Sequence, residues 1–168
     1  MPRKMKSLVL PALAAALCVS TPAQAAMACW NETQVAAVQV RDLQSRLMVA
    51  ALRCAAMGED VTPAYNRFVV ANRETIQRAN GVILAAFRSG VDGQAQEAYD
   101  RFATALANQY GDDDTNAGLC ADAALAAGEA AAAHGDVDRL LALAERLGEA
   151  PAVPGGRCGI TFAALEVR

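Results

Sequence analysis

The sequence predicts an all-α fold, an up-down helical bundle of about five helices stapled by two disulfides. Three observations predict it. Apolar or small residues recur at Ala36, Val40, Leu43, Leu47, Ala50, Cys54 and Met57, in steps of four and three that fall on one side of a helix. Short turns containing Gly, Asp or Pro separate this stretch from later ones, and no convincing strand pattern intervenes. An even set of cysteines, Cys29, Cys54, Cys120 and Cys158, remains once an N-terminal export signal is set aside.

That signal has three parts. Arg3, Lys4 and Lys6 stand at the start with no acid, and an apolar run from Leu8 to Val19 follows, too short to span a bilayer. Ala23-Gln24-Ala25 is a small-residue cleavage site. Residues 1–25 are therefore expected to be removed, leaving 26–168 as a single helical domain with an irregular C-terminal tail from about 149. Removal takes away Arg3, Lys4, Lys6 and no acid, so the net charge moves from −3 to −6, and no lysine remains. The expected location is the periplasm or the cell exterior. Attachment of a lipid to Cys29, which follows Ala28, is an alternative.

The first helix is expected from Asn31 to Met57. Asn31 and Gln34 have the spacing of a capping box, and Gly58 suits the position just past the end. Thr62 and Pro63 open a second helix that reads without interruption to about Phe87 or Arg88, with Asn72 as a polar residue on its apolar side. Asp92 caps a third helix running to Tyr110. A fourth, nearly all of small residues, starts at Asp114 or Thr115 and runs to about His134. Asp136 caps a fifth, which Gly148 stops. Glu149 to Gly159, with Pro151, Pro154, Gly155 and Gly156, reads as a loop. The tail from Ile160 to Val167 fits either a short helix or a strand.

Helix geometry restricts the disulfides. Residues 32–53 in one helix span ~33 Å, whereas bridged Cα atoms lie within ~7 Å, so Cys29 and Cys54 do not pair. Two pairings remain. Following the hairpins, the end of helix one meets the start of helix four, which favours Cys54–Cys120 and leaves Cys29–Cys158 to tie the ends. A zinc site built from all four cysteines is the rival, but such sites draw ligands in close pairs that are missing here.

Most chemistry is excluded. The sole histidine, His134, rules out a histidine-rich metal site. Asp112-Asp113-Asp114 resembles the start of a calcium loop, yet Ala117 and Ala123 occupy the positions that need Gly and Glu. No nucleotide-binding or nucleophile-elbow fingerprint is present. Asp42 with Arg46 reads as part of a solvated helix face. Ala64-Tyr65-Asn66-Arg67-Phe68 echoes Ala98-Tyr99-Asp100-Arg101-Phe102 at the tetratricopeptide period, but there is no third copy.

Charge is uneven. Residues 61–91 carry Arg67, Arg73, Arg78 and Arg88 against Glu74, a net +3, while residues 92–149 carry twelve acids against three arginines, a net −9. The expected function is therefore binding: an exported envelope interaction or accessory protein, with Arg67, Arg73 and Arg78 meeting an anionic or protein partner. No catalytic residue, metal or cofactor is expected, and no nucleic acid, since the chain lacks an extended basic patch. Two alternatives stand beside it: an enzyme using paired carboxyls in a pocket between helices, and a periplasmic stress chaperone that opens in acid.

Overall fold

The computed structural model describes residues 29–90, 93–112 and 114–159. The signal over residues 1–25, the Asp92 cap, Asp113 and the tail from Ile160 lie outside the described residues. Six helices, rather than about five, make up the described chain: α1 Glu32–Ala56, α2 Thr62–Ala71, α3 Arg73–Gly90, α4 Ala95–Asn108, α5 Ala117–Ala131 and α6 Val137–Arg146. A single bridge pairs Trp30 with Arg157 in parallel, and no other strand pairing occurs among the described residues.

Local chemistry sets most helix ends. The Gln34 N–H donates to Asn31 Oδ1 at 3.0 Å and the Asn31 N–H to Gln34 Oε1 at 2.9 Å, a complete capping box. At the other end Gly58, at φ +87°, turns the chain so that the Glu59 N–H closes on the Cys54 carbonyl at 2.9 Å. Asn116, not Asp114 or Thr115, caps α5 through the Leu119 N–H. That helix stops at Ala131, short of His134, because His134 and Gly135 both take positive φ and reverse the chain before the Asp136 cap. Tyr110 likewise lies beyond the end of α4.

The expected second helix is broken in two at Asn72, whose backbone leaves helical geometry at φ −117°, ψ 19°. Asn72 is buried and its side chain is fully engaged. Nδ2 donates to the carbonyls of Phe68 (2.9 Å) and Ala130 (2.8 Å), and Oδ1 accepts from the Gly135 N–H (2.7 Å). The break is thus held by contacts to α5 and to the α5–α6 turn.

α1 is the central element, and every other helix packs against it. Its buried set is accordingly wider than one seam. Val35, Ala37, Val38, Val40, Leu43, Leu47, Ala51 and Cys54 are buried, and so are Asp42 and Ser45. The expectation that Asp42 faces solvent is wrong, because a helix covered on most sides has little solvated face to give it. Met57, assigned to the seam, is half exposed. Leu43, Phe68, Ile83 and Leu140 centre the main core. Trp30, which periodicity did not single out, is 2 % exposed and packs on Phe87 and Phe102.

Two disulfides close the fold. Cys54–Cys120, Cα–Cα 5.7 Å, joins the end of α1 to the start of α5 inside a small buried cluster with Ala51, Val61 and Ala123. Cys29–Cys158, Cα–Cα 4.8 Å, joins the two ends of the described chain. It is supported by the Trp30 N–H donating to the Gly156 carbonyl (2.9 Å) and the Cys158 N–H to the Trp30 carbonyl (2.8 Å).

Candidate functional site

Two places gather polar chemistry. The first lies where α2 meets α5 and the start of α3 meets the α5–α6 turn. Val70 projects from α2 at 77 % exposure, a large apolar side chain left in water. Val70 and Ala71 line a shallow groove of about 560 Å³ with Ala131, Ala132, Asn66, Arg67 and His134. A second depression of about 410 Å³ adjoins it, sharing Val70, Ala71 and His134 and adding Arg73, Thr75 and Arg78. The Asn72 break makes this arrangement, since its side chain fixes the turn that carries His134. The Thr75 hydroxyl reinforces it by donating to the Gly135 carbonyl at 2.9 Å.

The structure therefore brings Arg67, Arg73 and Arg78 around one apolar strip, together with His134, which lies in the turn past α5 and not at the end of that helix as the sequence predicts. All three arginines are exposed. Arg67 and Arg73 have no ion pair among the described residues, while Arg78 faces Glu74 at 3.8 Å across solvent and donates to the Thr75 hydroxyl at 2.8 Å. An exposed pair of that kind is worth little and is readily exchanged for another anion.

The second place is a cleft beside α1. Asp42, Arg46, Gln109, Tyr110, Gly148, Glu149, Ala150 and Pro151 line a depression of about 410 Å³. Asp42 is 0 % exposed and Glu149 7 %. Gln109 Nε2 donates to Asp42 Oδ1 at 2.6 Å, but Asp42 Oδ2 and both Glu149 carboxyl oxygens are sealed from solvent without a hydrogen-bond partner. Arg46 makes no ion pair within 4 Å among the described residues. Its guanidinium donates to the Leu147 carbonyl at 2.6 Å and lies 5.7 Å from the centre of the Tyr110 ring. Arg53, two turns further along the same side of α1, donates through Nε to Thr115 Oγ1 and through Nη1 to the carbonyls of Tyr110 and Gly111.

The electrostatics follow from burial. Desolvation raises the Asp42 carboxyl above the ordinary carboxylate range, against the stabilising effect of Tyr110, Gln109 and the Arg46 charge. Desolvation, with the neighbouring Asp42 charge, pushes Glu149 up to about 8, and Arg46 only partly opposes it. The Tyr110 phenol is pushed upward too, first by burial and then by Asp42. Glu149 and Tyr110 escaped sequence reasoning. A glutamate in a Pro/Gly loop looks like a surface residue, and only the glycine turn before it hints that it points inward.

Among the described residues no cluster of three or more His, Cys, Asp or Glu is placed to hold a metal ion. Asp112 and Asp114 are exposed beside the start of α5. Comparison with protein-family models, curated proteins and solved structures found no match to this chain.

Proposed function

We propose that this is a small exported binding protein whose contact face is the arginine-rimmed groove between α2, α3 and α5, and that its partner presents an anionic head beside an apolar tail. The observation that carries this reading is the pairing of Val70 and the alanine floor with Arg67, Arg73 and Arg78 on the rim. An apolar side chain held in water gains by being covered, and guanidinium forks suit carboxylate or phosphate oxygens. Export is supported by the N-terminal residue pattern and by two disulfides, and no helix of the described residues is long and apolar enough to cross a membrane.

The test is calorimetric titration with decyl phosphate below its micelle concentration. Changing Arg67, Arg73 and Arg78 together to Ala is expected to weaken binding by ~30-fold, about 2 kcal/mol. Thermal stability is expected to stay within about 0.5 kcal/mol, because all three side chains are exposed. Equal binding by the variant, or none by the parent, sinks the reading.

The enzyme reading keeps one specific observation in its favour, since two carboxyls with raised pKa values do converge in a cleft. Their oxygens are sealed, however, so a substrate reaches them only after the chain over them moves. The acid-opened chaperone is not favoured by this pair. A buried carboxyl whose pKa is raised is neutral and at ease in acid, so protonation seats these groups rather than expelling them.

A further inference from the structure

Glu149 is placed by a reversal of the chain. Gly148, at φ +76°, ends α6, its N–H donating to the Glu145 carbonyl at 2.9 Å and that of Glu149 to the Ala144 carbonyl at 3.0 Å. This turn sends the Glu149 carboxyl inward against α1. The chain then runs as a strap, residues 149–158, to the Trp30 bridge and the Cys29–Cys158 disulfide. The far end is held covalently. The near end is held by the burial of Glu149 and Pro151 and by Arg46 on the Leu147 carbonyl.

The charged and titratable groups facing Glu149 are Asp42 and Arg46 from α1 and Tyr110 from the segment after α4. None of them pairs with it. Arg46 is turned to a carbonyl and an aromatic ring, and Asp42 is itself an acid with an unpaired oxygen. Two ionised carboxylates in that place share one nearby cation that contacts neither, a costly state in a site closed to water. One proton on the pair removes the second charge.

We propose that Asp42 and Glu149 form a one-proton latch: the strap 149–158 stays seated over the α1 cleft while the pair holds a proton, and its near end lifts at Gly148 when the proton leaves to solvent. In the lifted state Glu149 is hydrated as a carboxylate, and Arg46, Tyr110 and Asp42 are uncovered. Arg46 and Tyr110 also line a neighbouring cavity of about 440 Å³ floored by Leu47, Ala50 and Ala126, so lifting joins two clefts into one. The sign is fixed by burial. The seated form holds the Glu149 proton up to about pH 8, against 4.5 for the free carboxyl, so seating is strongest below pH 4.5 and is lost as pH rises through about 8. The two disulfides remain intact throughout, which confines the motion to the near end.

Hydrogen-exchange mass spectrometry between pH 6 and pH 9.5, with rates divided by the intrinsic rate at each pH, tests the latch. Protection of strap amides is expected to fall at least tenfold between pH 6 and about 8 and to level off above that, while helical circular dichroism stays constant. Glu149→Gln, a neutral isostere, is expected to hold protection flat across the range. Asp42→Asn removes the like charge and is expected to move the levelling-off point to lower pH. Protection in the parent that does not change with pH overturns the proposal. So does a transition that survives Glu149→Gln, an Asp42→Asn levelling-off point that does not move down, or loss of helix in step with the strap.

Discussion

Removing the inner bridge, with Cys54→Ala and Cys120→Ala together, is expected to lower stability by about 4 kcal/mol in guanidinium denaturation followed by circular dichroism. The two cysteines are 66 residues apart, and closing a loop of that size in the unfolded chain accounts for ~4 kcal/mol in the chain-entropy model. Burial adds to this, because Cys54 is 0 % exposed and Cys120 3 %, and two sulfur atoms vanish from a small cluster with little else in it. Domains of this size have ~5–15 kcal/mol in all, so the variant stands near the edge of folding. Loss of less than ~1 kcal/mol would mean that α1 and α5 already stay together in the unfolded chain.

Trp30→Ala is expected to cost about 3–5 kcal/mol, the usual range for a fully buried aromatic. The indole meets Phe87 edge-on with ring centres 5.5 Å apart and stacks on Phe102 at 6.0 Å. The void would open beside Phe87 of α3 and Phe102 of α4, next to the strap. The two backbone hydrogen bonds of Trp30 survive the substitution, so the loss reports side-chain packing alone. Trp30→Phe keeps one ring and should cost less than half as much. Equal losses for Ala and Phe would assign the effect to the indole's specific geometry instead of to buried volume.

The sequence made local features legible and long-range ones obscure, and particular residues show why. Asn31 with Gln34, Gly58, Asp136 and Gly148 each act within four residues, and each sits at its helix end in the structure. The break at Asn72 was not legible as a break. The apolar period continues across it, and the groups that hold it open, the Ala130 carbonyl and the Gly135 N–H, come from far along the chain. Asp42 and Ser45 were hidden by the convention that polar residues on a helix face water, which fails when the helix is covered by five others. The basic stretch holding Arg67, Arg73 and Arg78 was visible, but its apolar floor was not, since Ala131 and Ala132 arrive only with the end of α5, far along the chain. The carboxyl pair drew its halves from the middle of α1 and a loop near the other end, and no spacing rule links the two.

The outer disulfide also decides how the molecule carries force. Cys29 and Cys158 stand 4.8 Å apart, so tension applied to the chain before one and after the other passes through a single sulfur–sulfur bond. All six helices, and both clefts, hang from that bond on a slack ring. Pulling on the ends stretches only what lies outside the ring, and the fold inside is mechanically silent until a reductant cuts the link.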